Sequence, residues 1–346
     1  MIDLLPSVEQ QQIIDSVVEF FERALPVARL RAAAESGRIS TGLWKEIAGL
    51  GWFGMGLAEQ AGGTGYCLVE EMLVAREFGR YVASPALFAA MLAAHVATHA
   101  ENEPLLERIL SGELRVGLAN PLPGASRRAR NFHLLDADGS HLVLYWDEAG
   151  MGLHERASFA TTTTVDSLDE AVHLERAVAP DSAPIAWVSA QRSPLSRRAA
   201  LLICAQQVGV AEAAKDDAVA YAKTREQFGQ PIGAFQALKH ECADMAVECE
   251  AAYAQTFFAG LTENDGLADA GFQCAAAGLL ATGAALGNAR ANIQIHGGIG
   301  FTSECDAHRY LKRAHLLAQL GGAAGRHWRL LVAPSTHDHQ LSDGPS

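Results

Sequence analysis

Apolar residues recur at helical spacing from about Pro6 to Leu110. Over residues 10–24 they place Ile13, Ile14, Val17, Val18, Phe20 and Phe21 on one broad face. A short helix over 43–50 follows, closed by glycines, then Gly51-Trp52-Phe53-Gly54-Met55-Gly56-Leu57 and a loop over 59–66. Further helices are expected over 68–78, 86–99 and 104–111; proline suits the first helical position of the last, and Gly112 ends it. Near Glu113 the character changes. Residues 115–119 read as a strand, and 132–136 and 141–146 as apolar runs separated by the turn Asp138-Gly139. Val165 and 173–178 suggest more strands, and 159–164, mostly threonine, is an edge strand or a loop. The β region ends around Ser189, and from Pro194 the helical period returns over 195–224, 235–261, 269–290 and 306–320. After Ala333 the chain is polar, and a frayed tail is expected.

Composition narrows the class. A chain of 346 residues with 49% apolar and 19% charged residues has room for two or three folded units. A formal net charge of −13 disfavours non-specific binding to nucleic acid or anionic membrane, but leaves room for a local basic pocket for a phosphate. The start, Met1-Ile2-Asp3-Leu4-Leu5-Pro6, lacks a basic region, and no apolar run approaches the ~20 residues of a membrane span, so a cytoplasmic protein is expected. The six cysteines (Cys67, Cys204, Cys242, Cys249, Cys274, Cys305) contain no Cys-x-x-Cys, which argues against a zinc site or disulfide framework. Cys242 and Cys249 share a helix face and read as small buried residues in preference to a redox pair.

Candidate chemistry concentrates in two stretches. Between two helical runs, Thr224-Arg225-Glu226-Gln227-Phe228-Gly229-Gln230-Pro231 sets a cation and an aromatic beside a turn. Gln294-Ile295-His296-Gly297-Gly298-Ile299-Gly300-Phe301 is glycine-rich, so backbone N–H groups there can approach a phosphate closely. Alone it reads as a helix-ending turn; with Arg225 and Phe228 it reads as a pocket for a pyrophosphate and an adenine. Gly49-Leu50-Gly51-Trp52-Phe53-Gly54 matches a dinucleotide fingerprint in letters only, because it follows a helix and no βαβ unit surrounds it. His296 reads as a packed histidine, and His337-x-His339 as weak metal evidence.

These residues carry a resemblance. Residues 224–240 with 294–302 resemble the C-terminal signature of the acyl-CoA dehydrogenase family, and Leu50-Gly51-Trp52 and Gly62-Gly63-Thr64-Gly65 are similar to its N-terminal part. The resemblance implies a mainly α fold with a small central β domain. It divides into an N-terminal helical domain over 1–112, a reduced middle β domain over 113–190, a C-terminal four-helix bundle over 191–335 and a tail over 336–346. It implies FAD-dependent α,β-dehydrogenation of an acyl-CoA thioester, in which a carboxylate takes the α-proton and the flavin takes the β-hydride. Family positions matching Arg225, Gln227, Phe228, Gln294, Gly297 and Gly298 meet the FAD of a neighbouring subunit.

The chain departs from the family where catalysis belongs. Laid over the family's last motif helix without gaps, the base position falls on Gly321, with Leu320 and Ala323 replacing its tyrosine and threonine; the alternative base position falls near Ala199. Neither residue can take a proton. The loop that holds the flavin ring aligns with Ala119-Asn120-Pro121-Leu122-Pro123-Gly124-Ala125-Ser126 and lacks its acidic residues, and the family's Trp-Ile-Thr survives only as Trp146. The implied reading is the subunit without the base in a hetero-oligomer, α2β2, as in actinobacterial steroid side-chain degradation. Its implied partners are a catalytic subunit, an acyl-CoA and an electron-accepting flavoprotein. Two alternatives stand beside it. One is a homo-oligomeric dehydrogenase with a base elsewhere, such as Glu304 or one of Glu241, Asp244 and Glu248; the other is a non-redox acyl-CoA-binding scaffold.

Overall fold

The computed structural model describes residues 4–31, 38–122, 131–159, 162–193, 195–321 and 323–332. The expected tail, the His337-x-His339 pair, Pro194 and residues 123–126 of the expected ring-binding loop lie outside them.

Five helices lead: α1 Val8–Ala24, α2 Thr41–Gly49, α3 Leu68–Arg80, α4 Pro85–His99 and α5 Glu103–Leu110. Local chemistry sets their starts. Ser7 and Gln10 form a reciprocal capping box at α1, with the Gln10 N–H donating to Ser7 Oγ at 3.2 Å and the Ser7 N–H donating to Gln10 Oε1 at 2.9 Å. Ser84 caps α4 and Pro85 occupies its first turn. Residues 85–97 of α4 are all buried, so this helix is a core element on every side.

The strands form one mixed sheet, in the order β5-β6-β2-β1-β3-β4-β7. They are β1 Val116–Pro121, β2 Asn131–Leu135, β3 Leu142–Asp147, β4 Gly150–Glu155, β5 Thr163–Val165, β6 Leu174–Val178 and β7 Ala186–Ser189. The turn at Asp138-Gly139 does not join paired strands. β2 and β3 flank β1, antiparallel and parallel to it respectively. Two strands escape the sequence pattern, β4 and β7. Glycine weakens the strand signal of Gly150–Glu155, yet it is required there: a Cβ on Gly152 would meet the Trp187 ring of β7 at 2.5 Å. Alternation splits the sheet between two cores. Leu118, Leu142, Leu144, Met151 and Leu153 join the helices, while Ala119, Phe132, Val143, Tyr145 and Phe159 form a second cluster on the other face.

The chain returns through α6 Leu195–Thr224, a two-stranded hairpin of β8 Glu226–Gln227 and β9 Gln230–Pro231, α7 Gln236–Asn264, α8 Ala270–His296, α9 Ala307–Leu320 and α10 Ala323–Val332. The pattern places the end of α8 near Arg290 and predicts no α10; both helices extend the bundle. α8 also corrects the expectation about apolar runs, because it is long and apolar enough to cross a membrane. Alanine and leucine supply that hydropathy, and α8 packs against α6, α7, α9 and α10. α3 and α6 cross at paired glycines: a Cβ on Gly79 would overlap the Gln206 carbonyl, and one on Gly209 would overlap the Arg76 carbonyl. One core therefore runs from the first helices through a sheet face into the bundle.

Candidate functional site

The turn after α6 is built by two consecutive residues with positive φ, Phe228 at 55° and Gly229 at 79°, which closes a tight hairpin. Glycine tolerates this conformation; phenylalanine does so only at a cost of roughly 1–2 kcal/mol. The ring gains little from its own chain. It is 92% exposed and makes one edge contact, to Phe235 at 6.1 Å. A strained, exposed aromatic is a feature to explain through something outside the fold.

Its neighbours share that exposure. Arg225, Gln227, Gln294, Gly297 and Gly298 are all exposed. The Arg225 backbone is fixed, its N–H donating to the Tyr221 carbonyl at 2.9 Å and its carbonyl accepting from Ile232 at 2.8 Å. Among the described residues its guanidinium forms no ion pair. Gly297 closes α8 at φ 66° and ψ −143°, a conformation that glycine alone adopts easily. Gly300 is held small by the Ile293 carbonyl, 2.9 Å from where a Cβ would lie. Gly298 has neither reason, for its φ is not positive and a Cβ there would meet open space.

The fold brings the two stretches together. Ala222, Ile232 and Ile295 share a small apolar cluster between the ends of α6 and α8 and the start of α7. Above it the Tyr221 and His296 rings stack at 4.1 Å and 23°. His296 Nδ1 lies 2.9 Å from the Asn292 carbonyl oxygen, and Asn292 Nδ2 donates to Asp217 at 3.0 Å. His296 is thus a packed histidine, as its isolation in the sequence suggests. The stack itself was not anticipated. Its signal is Asp217, Tyr221 and Arg225 at four-residue spacing, one face of α6 leading to the turn.

The expected base positions lie at the other end of the bundle. Ala199 is fully buried near the start of α6. Gly321 caps α9, and a Cβ there would lie 3.4 Å from Ile203 Cγ2, one helical turn beyond Ala199. The two positions therefore border the same place, and neither brings a carboxylate. Glu71 is a buried carboxylate of this region, but it is already spent: Arg198 donates to it, His95 Nε2 lies 2.7 Å away and the Gly56 N–H donates to it at 3.2 Å. Burial alone would raise its pKa; His95 and Arg198 overcome this and hold it below the usual range. Glu304 is exposed and precedes α9, so the helix of 14 residues separates it from Gly321 by about 21 Å. Glu241, Asp244 and Glu248 are exposed on α7. Trp146 is half-buried, its ring edge-on to Phe88 at 6.1 Å.

Comparison with known proteins decides the family. Residues 7–113 match the model of the acyl-CoA dehydrogenase N-terminal domain, and 193–334 that of the acyl-CoA dehydrogenase C-terminal domain. The chain is 31% identical to acyl-CoA dehydrogenase IpdE2 of Mycobacterium tuberculosis over 92% of its own length and 94% of that protein. The chain belongs to the acyl-CoA dehydrogenase family. Members of this family are oxidoreductases that act on CH–CH bonds. Acyl-CoA dehydrogenase FadE34 of the same organism is 34% identical over 83% of this chain, which spans only 41% of FadE34. Among solved structures, the Tcur3481-Tcur3483 steroid ACAD variant superposes with a TM-score of 0.81 at 26% identity, covering 93% of this chain and 96% of that one. The helix–sheet–helix order is therefore that of the family, and β1 to β7 lie between the two matched segments.

Proposed function

We propose that this chain is the subunit without a catalytic base in a cytoplasmic, hetero-oligomeric FAD-dependent acyl-CoA dehydrogenase, α2β2 in composition. The observation that carries this reading is Phe228, held at positive φ and 92% exposed beside Arg225, whose guanidinium has no ion pair among the described residues. Phe228, Arg225 and Gly298 lack a purpose within their own chain and acquire one against a neighbour's cofactor. Arg225 meets the pyrophosphate charge, the N–H groups near Gly297 and Gly298 approach it closely, and Phe228 packs on the adenine end. Gln227 and Gln294 supply hydrogen bonds at the edge of the same surface. When bound, FAD supplies the hydride acceptor for the β-carbon.

The proton chemistry belongs to the catalytic subunit, since Gly321 and Ala199 have no group that accepts one. A bulky acyl-CoA such as a steroid side-chain thioester is the proposed substrate, and an electron-accepting flavoprotein the proposed oxidant. Relatedness to a steroid acyl-CoA dehydrogenase pair at 26% identity supports this choice. The test is expression of this chain alone and with the acyl-CoA dehydrogenase encoded beside it. Alone it is expected to carry little flavin and no dehydrogenase activity; together, both appear. A yellow, active homo-oligomer from the single chain overturns the reading in favour of a base of its own.

A further inference from the structure

The sheet face turned away from α4 carries a cavity that the flavin-facing surface and the base positions do not use. Its volume is about 330 Å³, within the range of small-ligand sites. One wall is a closed circuit of four rings. Phe132 meets Tyr145 at 6.0 Å, Tyr145 stacks on His154 at 5.1 Å, His154 meets Phe159 at 5.9 Å, and Phe159 returns to Phe132 at 6.3 Å. The segment 178–184 forms the opposite wall, with exposed Asp181 and Ser182 at the rim.

His154 is the exception on this face. The other residues of the cluster are aliphatic or aromatic, and His154 is only 5% exposed. Its Nδ1 has no hydrogen-bond partner among the described residues. Burial holds its pKa below the usual histidine range, so the ring is neutral near pH 7, with one N–H and one lone pair. The unmatched Nδ1 is itself sealed from solvent, so the nitrogen of this neutral imidazole left to meet a ligand in the cavity is Nε2. Among the described residues no Lys or Arg lines the cavity and Asp181 is the one carboxylate, so the described lining offers a phosphate no cation.

We propose that this cavity binds a small, uncharged, planar ring bearing one hydrogen-bonding group, of the phenol class. The ring stacks within the aromatic wall and its polar group pairs with His154. The site is independent of the dehydrogenase reading, because none of its residues belongs to the α6–α8 surface or lies near Gly321.

The probe is 4-fluorophenol, observed by fluorine NMR with the full chain, and the His154 imidazole is followed by nitrogen NMR. Saturable binding that moves the His154 resonances is expected. Binding should weaken about tenfold in His154→Phe, the loss of one hydrogen bond. Val178→Trp, which fills the cavity from the opposite wall, should abolish it; circular dichroism confirms that each variant is folded. The unmodified chain keeps the test alive if His154→Phe does not fold, because a probe that leaves the His154 resonances still overturns the proposal. So does equal binding by 4-fluorobenzoate, or displacement by tetramethylammonium, either of which would replace the neutral ring by an ion. A cavity whose histidine is only a packing element gives no saturable binding.

Discussion

The two ends of α6 are built by opposite rules. Around its last turn polar and aromatic groups stand out in solvent: Phe228 strained at positive φ, Arg225 without an ion pair among the described residues, and Gly298 with neither a positive φ nor a close neighbour to require glycine. At its first turns the inward face is buried and packed, while Ser196 and Arg197 stay exposed. Ala199 is sealed, Gly321 is covered by Ile203, and the nearby carboxylate Glu71 is neutralised by Arg198 and His95. About 38 Å of continuous helix separates Ala199 from Thr224. One end exposes groups with no ion pair or close packing among the described residues; the other is closed by packing at the two positions where a base is expected. The proposed function reads this difference as a chain that serves chemistry done on a partner.

The strongest way to break this comparison is to unseat the helix that both ends share. Gly209→Val drives a side chain into the Arg76 carbonyl, where the crossing of α3 and α6 leaves no space. A loss of about 3 kcal/mol or more is expected, seen as a large fall in thermal midpoint and in yield of the assembled complex. Both ends should fail together. A variant with an unchanged midpoint would show that the crossing is loose and that the ends are not rigidly coupled.

The next effects separate the ends. Arg225→Ala removes a charge with no ion pair among the described residues, so the chain should keep its midpoint while FAD binding in the assembled complex weakens about 10- to 100-fold. Flavin absorbance against protein concentration measures it; unchanged flavin content favours the scaffold reading. Phe228→Gly is expected to act with opposite signs in two assays. It relieves the left-handed strain and stabilises the isolated chain by up to about 1 kcal/mol, yet it weakens FAD binding in the complex about 3- to 10-fold. A residue retained for the fold alone cannot behave in that way.

The middle of α9 is tied down by ions. Arg313 of α9 donates to Asp169 at 2.6 Å and to the Ala83 carbonyl, and Asp136 accepts from Ser84 and, at 2.8 Å, from the His173 N–H. Burial pushes Asp136 up to about 6 from its ordinary 3.8. Its folded pKa lies above its unfolded one, so between these values the native state holds the extra proton. Stability from this group is therefore greatest below the unfolded value and declines as pH rises through about 6, with no further change above. Asp136→Asn, which tolerates the same φ of 47°, should flatten that part of the midpoint–pH curve and leave the Arg225 end untouched.

The helices were legible because their apolar period is local, and the α6 turn because Arg225, Phe228 and Gly229 stand within five residues. What stayed hidden is what sequence distance conceals. Gly150 and Gly152 mask β4 because they make room for Trp187, and the passage of β1 between β2 and β3 leaves no local mark. The Tyr221–His296 stack joins residues in different helices, so two separately read motifs became one surface only in three dimensions. The sequence places the expected base at Gly321 or near Ala199, neither of which carries a carboxylate. That both positions border Ile203 left no mark in the sequence.

The smallest expected effect is the sharpest test of why that site is blank. A Cβ on Gly321 would meet the Leu317 carbonyl at 3.3 Å, Ile203 at 3.4 Å and the Ala318 carbonyl at 4.0 Å, and its φ of −73° suits any residue. Gly321→Glu should therefore fold with a midpoint close to that of the parent chain. If the base were all this end had lost, the variant alone would become a dehydrogenase, because general-base catalysis contributes about 10²- to 10⁴-fold. We expect no measurable turnover. The stretch expected to match the family's ring-binding loop, residues 119–126, has no acidic residue, and a base without a held flavin and thioester would have nothing to act on. Activity in that variant would make the loss recent and local, and would move the comparison from two ends of a helix to one residue.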